Sequence, residues 1–150
     1  MTRSLYFEDL QPGYKIETAA ATVTDRDVAE FALRFDPQPM HLDAEAAGQN
    51  QFGGLIASGF HTLSLGFALF FRLDILRDSN LGSPGMEEVR WVRPLRPGDT
   101  VHMIAEVTAA RASQSKPDRG VVWMRHDLYN QRGELVMSAN CMHMVKREVR

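Results

Sequence analysis

Apolar residues fall into two regimes along the chain. Up to about residue 76 they recur at helical spacing or fill every side of a helix, and from residue 86 they form short β-type runs between polar turns. Small and β-branched residues over 15–23 predict a first strand. Thr24-Asp25-Arg26-Asp27 then reads as an N-cap followed by acids in a first helical turn. Val28, Phe31, Ala32 and Phe35 keep the i, i+3, i+4, i+7 spacing of one apolar face, so a helix is expected over 25–35, ended by Pro37. Asp43 is placed to cap a short helix through Ala44-Glu45-Ala46-Ala47 that Gly48 would close.

The stretch 58–75 carries Phe60, Leu63, Leu65, Phe67, Leu69, Phe70, Phe71, Leu73 and Ile75. Apolar residues on every side predict a helix that is nearly enclosed. Gly82, Pro84 and Gly85 mark a turn, after which strands are expected over 86–93, 100–111, 120–129 and 135–146. Such lengths suggest long, curved antiparallel strands. A buried helix followed by an antiparallel meander implies a sheet wrapped around that helix, because each covers the other's apolar face. The fold class expected is α+β, as one domain over 1–150, with no repeat, low-complexity tract or linker to divide it.

Composition narrows the partners. With 24% charged residues and a formal net charge of −2, the chain has no overall basic field to hold nucleic acid or an anionic membrane, so phosphate would have to be met locally. Arg90, Arg93, Arg96, Arg111, Lys116 and Arg119 are the cations near the strands and turns. The one cysteine, Cys141, excludes an internal disulfide and fits a reducing compartment, so a cytoplasmic location is expected. Acids near the N-terminus argue against an export signal, leaving Met1 to start the chain. His61, Arg72 and Asp74 interrupt the run 55–76, which is therefore read as a soluble helix and not a membrane span. His61, His102, His126 and His143 follow no metal-ligand spacing, so no metal is expected. The methionines read as adaptable core residues.

The chemistry concentrates in Phe35-Asp36-Pro37-Gln38-Pro39-Met40-His41, followed 18 residues after the histidine by Gly59 in Leu55-Ile56-Ala57-Ser58-Gly59-Phe60. Two prolines fix the backbone around an acid and a base, so Asp36 and His41 are expected on a stiff, non-helical stretch. Gly59 would open the long apolar helix, where unpaired N–H groups and the helix dipole favour negative charge. This stretch resembles the hydratase motif of the MaoC-like dehydratases and (R)-specific enoyl-CoA hydratases, Asp-x-Asn-Pro-aliphatic-His. Arg93-Pro94-Leu95-Arg96-Pro97-Gly98-Asp99 likewise looks like that family's Pro-x-x-x-Gly-Asp turn, and the resemblance extends over nearly the whole chain.

The resemblance implies a hot-dog fold and reversible hydration of a trans-2-enoyl thioester to an (R)-3-hydroxyacyl thioester. Asp36 and His41 would activate water, and Gly59 N–H would be the oxyanion donor. Gln38, Ser58 and Phe60 would bind substrate, an acyl-CoA in preference to an acyl carrier protein, with no cofactor beyond that thioester. A homodimer is implied, as edge protection of an open sheet also suggests. Two positions depart from the pattern: Gln38 stands for the usual Asn, and Ser58 stands where many relatives have His. An acyl-CoA thioesterase and a non-catalytic acyl-thioester-binding module are the competing readings. A serine hydrolase using Ser58 and His61 lacks the Gly-x-Ser-x-Gly elbow.

Overall fold

The computed structural model describes residues 2–148; Met1, expected to start the chain, lies outside them. A short 3-10 turn at Phe7–Asp9 precedes β1 (Lys15–Glu17) and β2 (Ala21–Thr22). Four helices follow: α1 (Asp25–Phe35), α2 (Pro39–Leu42), α3 (Ala44–Gly48) and α4 (Gly59–Phe71). Four strands complete the chain: β3 (Met86–Trp91), β4 (Thr100–Ala112), β5 (Arg119–Tyr129) and β6 (Leu135–Lys146). The strands form one antiparallel sheet in the order β1-β4-β5-β6-β3, with β2 also paired to β4. This is the hot-dog arrangement, with α4 as the helix against the sheet.

The strand expected over 15–23 is broken at its middle. Thr18 N–H still donates to Met103 O, but the Thr18 hydroxyl accepts from Met103 N–H where a backbone carbonyl would in a regular ladder. A side chain that takes over the ladder bond ends the strand there. By contrast α1 has the expected bounds, because Thr24 and Asp27 close a reciprocal capping box at its start.

The core lies between one face of the sheet and one side of α4. Alternate residues of β4, β5 and β6, among them Met103, Ala105, Val107, Val122, Met124, Met137 and Val145, are buried against Leu69 and Phe70. Gly66 allows the close approach: a Cβ there would lie 2.5 Å from Met103 Cε. The expectation of a nearly enclosed α4 is corrected. Thr62, Gly66, Leu69 and Phe70 are buried, whereas Phe60 is 60% exposed and Phe71 40%, because a single sheet covers one side of a helix only. Likewise Val28 and Ala32 of α1 are buried, but Phe35 at its last position is 60% exposed.

Strand β3 contains a bulge. Glu87 lies opposite Asn140, yet Arg90 lies opposite Ser138, so three steps on β3 match two on β6. The extra residue falls at Glu88, whose φ is +53° and whose carboxylate accepts from Asn140 Nδ2 at 2.9 Å. Directly opposed residues share a face, so Met86 opposite Cys141 and Trp91 opposite Met137 both lie on the inner face. Strict alternation from Met86 would have put Trp91 on the outer one.

Candidate active site

Asp36 occupies the C-cap of α1, its N–H bonded to Ala32 O at 2.9 Å, and Pro37 prevents a further turn. The stretch from Asp36 to His41 is not wholly non-helical as the two prolines suggested. Pro39 sits at the first position of α2, where its fixed φ suits a helix start and its missing N–H costs nothing, so His41 lies on one helical turn. That turn buries the imidazole to 4% exposure. His41 Nδ1 lies 2.7 Å from the Ile56 carbonyl, which can only accept, so Nδ1 carries the hydrogen. In the neutral ring the lone pair is then on Nε2, 3.3 Å from Asp36 Oδ2.

Both carboxylate oxygens of Asp36 are held by neutral donors. Gln38 Nε2 donates to Oδ1 at 2.6 Å and the Ser58 hydroxyl to Oδ2 at 2.6 Å. The Ser58 bond first, the Gln38 bond next and the nearby His41 hold this carboxyl below the usual carboxylate range, against a smaller opposing effect of burial. Asp36 is therefore an ionised group at neutral pH. Gln38, the departure from the Asn pattern, reaches the acid itself, which its extra methylene permits.

Ser58 is the N-cap of α4, accepting from Phe60 N–H at 3.2 Å. It is wholly buried beneath Asp36 and does not line the pocket, so it supports the site from below. Gly59, the first residue of α4, does line it, and among the described residues its N–H has no backbone partner. A Cβ at Gly59 would come within 2.6 Å of the Trp91 indole, which donates Nε1–H to Gly59 O at 2.8 Å.

The pocket has a volume of about 470 Å³. Asp36, Gln38, His41 and Gly59 give it one polar wall; Met40, Phe52, Ile56, Phe60, Trp91 and Leu95 make most of the rest apolar. That combination suits an apolar chain ending in a polar reacting group. Among the described residues Arg93 is the one cation that lines it, while Arg96 bonds Phe52 O and so ties down the turn at Gly53-Gly54. His61 stands apart: its ring stacks on Phe31 at 4.8 Å, its Nδ1 is buried without a partner, and burial lowers its pKa.

Sequence reasoning missed Trp91, whose face is set by the bulge, and Ile56, which acts through its backbone. It also missed the cluster of His126, Cys141 and His143, whose possible ligand atoms lie within 4.8 Å of one another on facing strands of the core. In the structure His126 Nε2 and His143 Nε2 bond each other at 3.0 Å, and His126 Nδ1 lies 3.2 Å from Met103 Sδ. In that bond one imidazole donates and the other accepts. Burial pushes these imidazoles down, to about 3 for His126 and about 4 for His143.

Residues 9–126 match the sequence pattern described as the MaoC like domain. The chain belongs to that family. Among solved structures, the MaoC-like dehydratase from Rhodospirillum rubrum superposes with a TM-score of 0.91 at 38% identity, covering 98% of this chain and 100% of that one. The Bacillus subtilis protein YdeM is 30% identical over 90% of this MaoC-like chain and 94% of its own length. An (R)-specific enoyl-CoA hydratase of Rhodospirillum rubrum is 32% identical over 69% of each chain. Among the described residues, no helix is long and apolar enough to cross a membrane.

Proposed function

We propose that this MaoC-like protein reversibly hydrates trans-2-enoyl-CoA thioesters to (R)-3-hydroxyacyl-CoA. The observation that carries the reading is the 3.3 Å approach of His41 Nε2 to Asp36 Oδ2 on one wall of an apolar pocket that Gly59 also lines. The hydratase name of a relative supports it.

Asp36 and His41 divide the work by basicity. A carboxylate held in its ionised form by two hydrogen bonds is a poor proton acceptor, so it orients the water and receives the imidazolium that forms beside it. His41 Nε2 takes a proton from the water as its oxygen bonds to Cβ. The Cα=Cβ pair moves into the thioester, and the enolate oxygen accepts from Gly59 N–H at the positive end of α4. The imidazolium then returns its proton to Cα on the same face, giving net syn addition of one water. Dehydration is the reverse.

Exposed apolar groups, Phe60, Trp91 and Val92, line the pocket, and β3 leaves a sheet edge open. A second copy of the chain covers both in our reading, giving a homodimer that sedimentation at several concentrations would detect. The single buried thiol of Cys141 fits action in the cytoplasm.

The test is a panel of enoyl-CoA substrates of increasing chain length, followed by loss of the conjugated thioester and chiral analysis of the product. Turnover to the (R) product is expected, with Asp36→Asn and His41→Ala each lowering kcat by about 10²–10⁴. Folded protein that turns over none of the panel overturns the proposal. Release of free thiol from saturated acyl-CoA would assign a thioesterase instead.

A further inference from the structure

We propose that Trp91 is a positioning residue for this reaction, holding the Gly59 turn and the Asp36 carboxylate in place through one continuous hydrogen-bond relay. The inference rests on the hydratase reading above.

The relay is Trp91 Nε1–H to Gly59 O at 2.8 Å, Phe60 N–H to Ser58 Oγ at 3.2 Å, and Ser58 O–H to Asp36 Oδ2 at 2.6 Å. The Gly59 carbonyl and the Phe60 N–H belong to one peptide group, so the first two bonds polarise the same amide. Donor chemistry fixes the direction. Indole has a donor and no acceptor, an amide N–H only donates, and the single Ser58 proton must then go to the carboxylate. No tautomer or rotamer choice reverses the chain, and bonds in such a series strengthen one another. Its far end is the oxygen nearest His41 Nε2.

Three further observations assign this role to the indole N–H over a plain apolar wall. The ring lies so close to Gly59 that a Cβ would sit 2.6 Å from Cε2 and 2.8 Å from Nε1, so indole and helix start are fitted to each other. Phe60 meets the ring edge-on at 6.1 Å, fixing its tilt. The β3 bulge is what turns Trp91 to the inner face, and it is held by Glu88 in a left-handed conformation that costs energy at a non-glycine residue. Bulges recur next to active sites, where they re-aim a side chain.

The experiment replaces Trp91 with 3-benzothienylalanine, which keeps the two-ring shape and exchanges the N–H for sulfur, and compares it with Trp91→Phe. Kinetics on enoyl-CoA are paired with the infrared carbonyl frequency of a bound saturated acyl-CoA labelled with carbon-13 at C1. The isostere is expected to lower kcat about three- to tenfold, the effect of losing one hydrogen bond, with KM and thermal stability unchanged. The labelled carbonyl should move back toward its frequency in solution. An isostere with wild-type kcat and carbonyl frequency overturns the proposal, as does a change confined to KM, which would make Trp91 a wall only. Wild-type protein that binds acyl-CoA but turns over no substrate sinks the hydratase reading alone, since the carbonyl frequency still decides Trp91. Protein that binds no acyl-CoA at all overturns both.

Discussion

Lowering the pH from 7 should destabilise this protein before its carboxylates titrate. The cause is the buried pair His126 and His143, which bond to each other through Nε2 and are packed against Phe67, Phe70 and Phe71. In the folded chain they protonate only at about 3 and about 4, against an ordinary value of 6.5. Between those limits the unfolded chain binds protons that the folded chain does not, so stability falls as pH falls. Each imidazole costs about 1.4 kcal/mol per pH unit below 6.5, so two of them over two units remove about 5 kcal/mol by pH 4.5. That is comparable to the whole stability of a small domain, about 5–15 kcal/mol. His61, also lowered by burial, acts in the same direction. Asp27, Asp36, Asp118, Glu8 and Glu134 are instead depressed carboxylates, whose contribution is lost only below their ordinary values near 4.

The assay is urea unfolding at pH 7.5, 6.5, 5.5 and 4.5, at fixed ionic strength and protein concentration, for the wild type and for His126→Leu/His143→Leu. Replacing both partners by apolar residues of similar size removes the titration without orphaning a polar group. The wild type should lose stability at close to two protons' worth of slope below pH 6.5, and the double variant should lose most of that slope. A wild-type stability that is flat between pH 6.5 and 5, or a double variant with undiminished slope, would refute the assignment.

Four other substitutions have definite expectations. Ser58→Ala removes the N-cap of α4 and the hydrogen bond that most depresses Asp36, so it should cost about 0.5–2 kcal/mol in urea unfolding and raise the pH at which the Asp36 carboxyl titrates, read by carbon-13 NMR. Gly59→Ala drives a methyl into the Trp91 indole and should lower kcat, whereas Gly48→Ala, with open space around its Cβ, should leave kcat unchanged in the same assay. Gly66→Ala clashes with the flexible end of Met103, its other contacts with Met137 and Leu128 being ordinary, so a loss of about 1–3 kcal/mol is expected, relieved by Met103→Val in a double-mutant cycle.

The parts of the fold that local chemistry punctuates were legible in the sequence. A capping box and a proline bound α1, and Gly98 and Gly133 adopt the positive φ of the turns that separate β4 from its predecessor and β5 from β6. The candidate site was legible as far as it is local: Asp36, Gln38 and His41 lie within six residues, whereas Ser58, expected to bind substrate, is the cap of α4 beneath Asp36. What could not be read is what pairing decides. The Ile56 carbonyl that orients His41 carries no side-chain signature, and the breadth of the sheet, which leaves Phe60 and Phe71 open, is a property of the assembled fold. His126, Cys141 and His143 meet because β5 and β6 pair with His126 opposite Ala139, a register with no trace in their spacing. Trp91 is the sharpest case. Alternation over a six-residue strand assigns it to the outer face, and one extra residue at Glu88 reverses that assignment. A bulge changes no composition and little periodicity, yet here it decides whether an indole N–H faces solvent or the first turn of the helix on which the proposed chemistry depends.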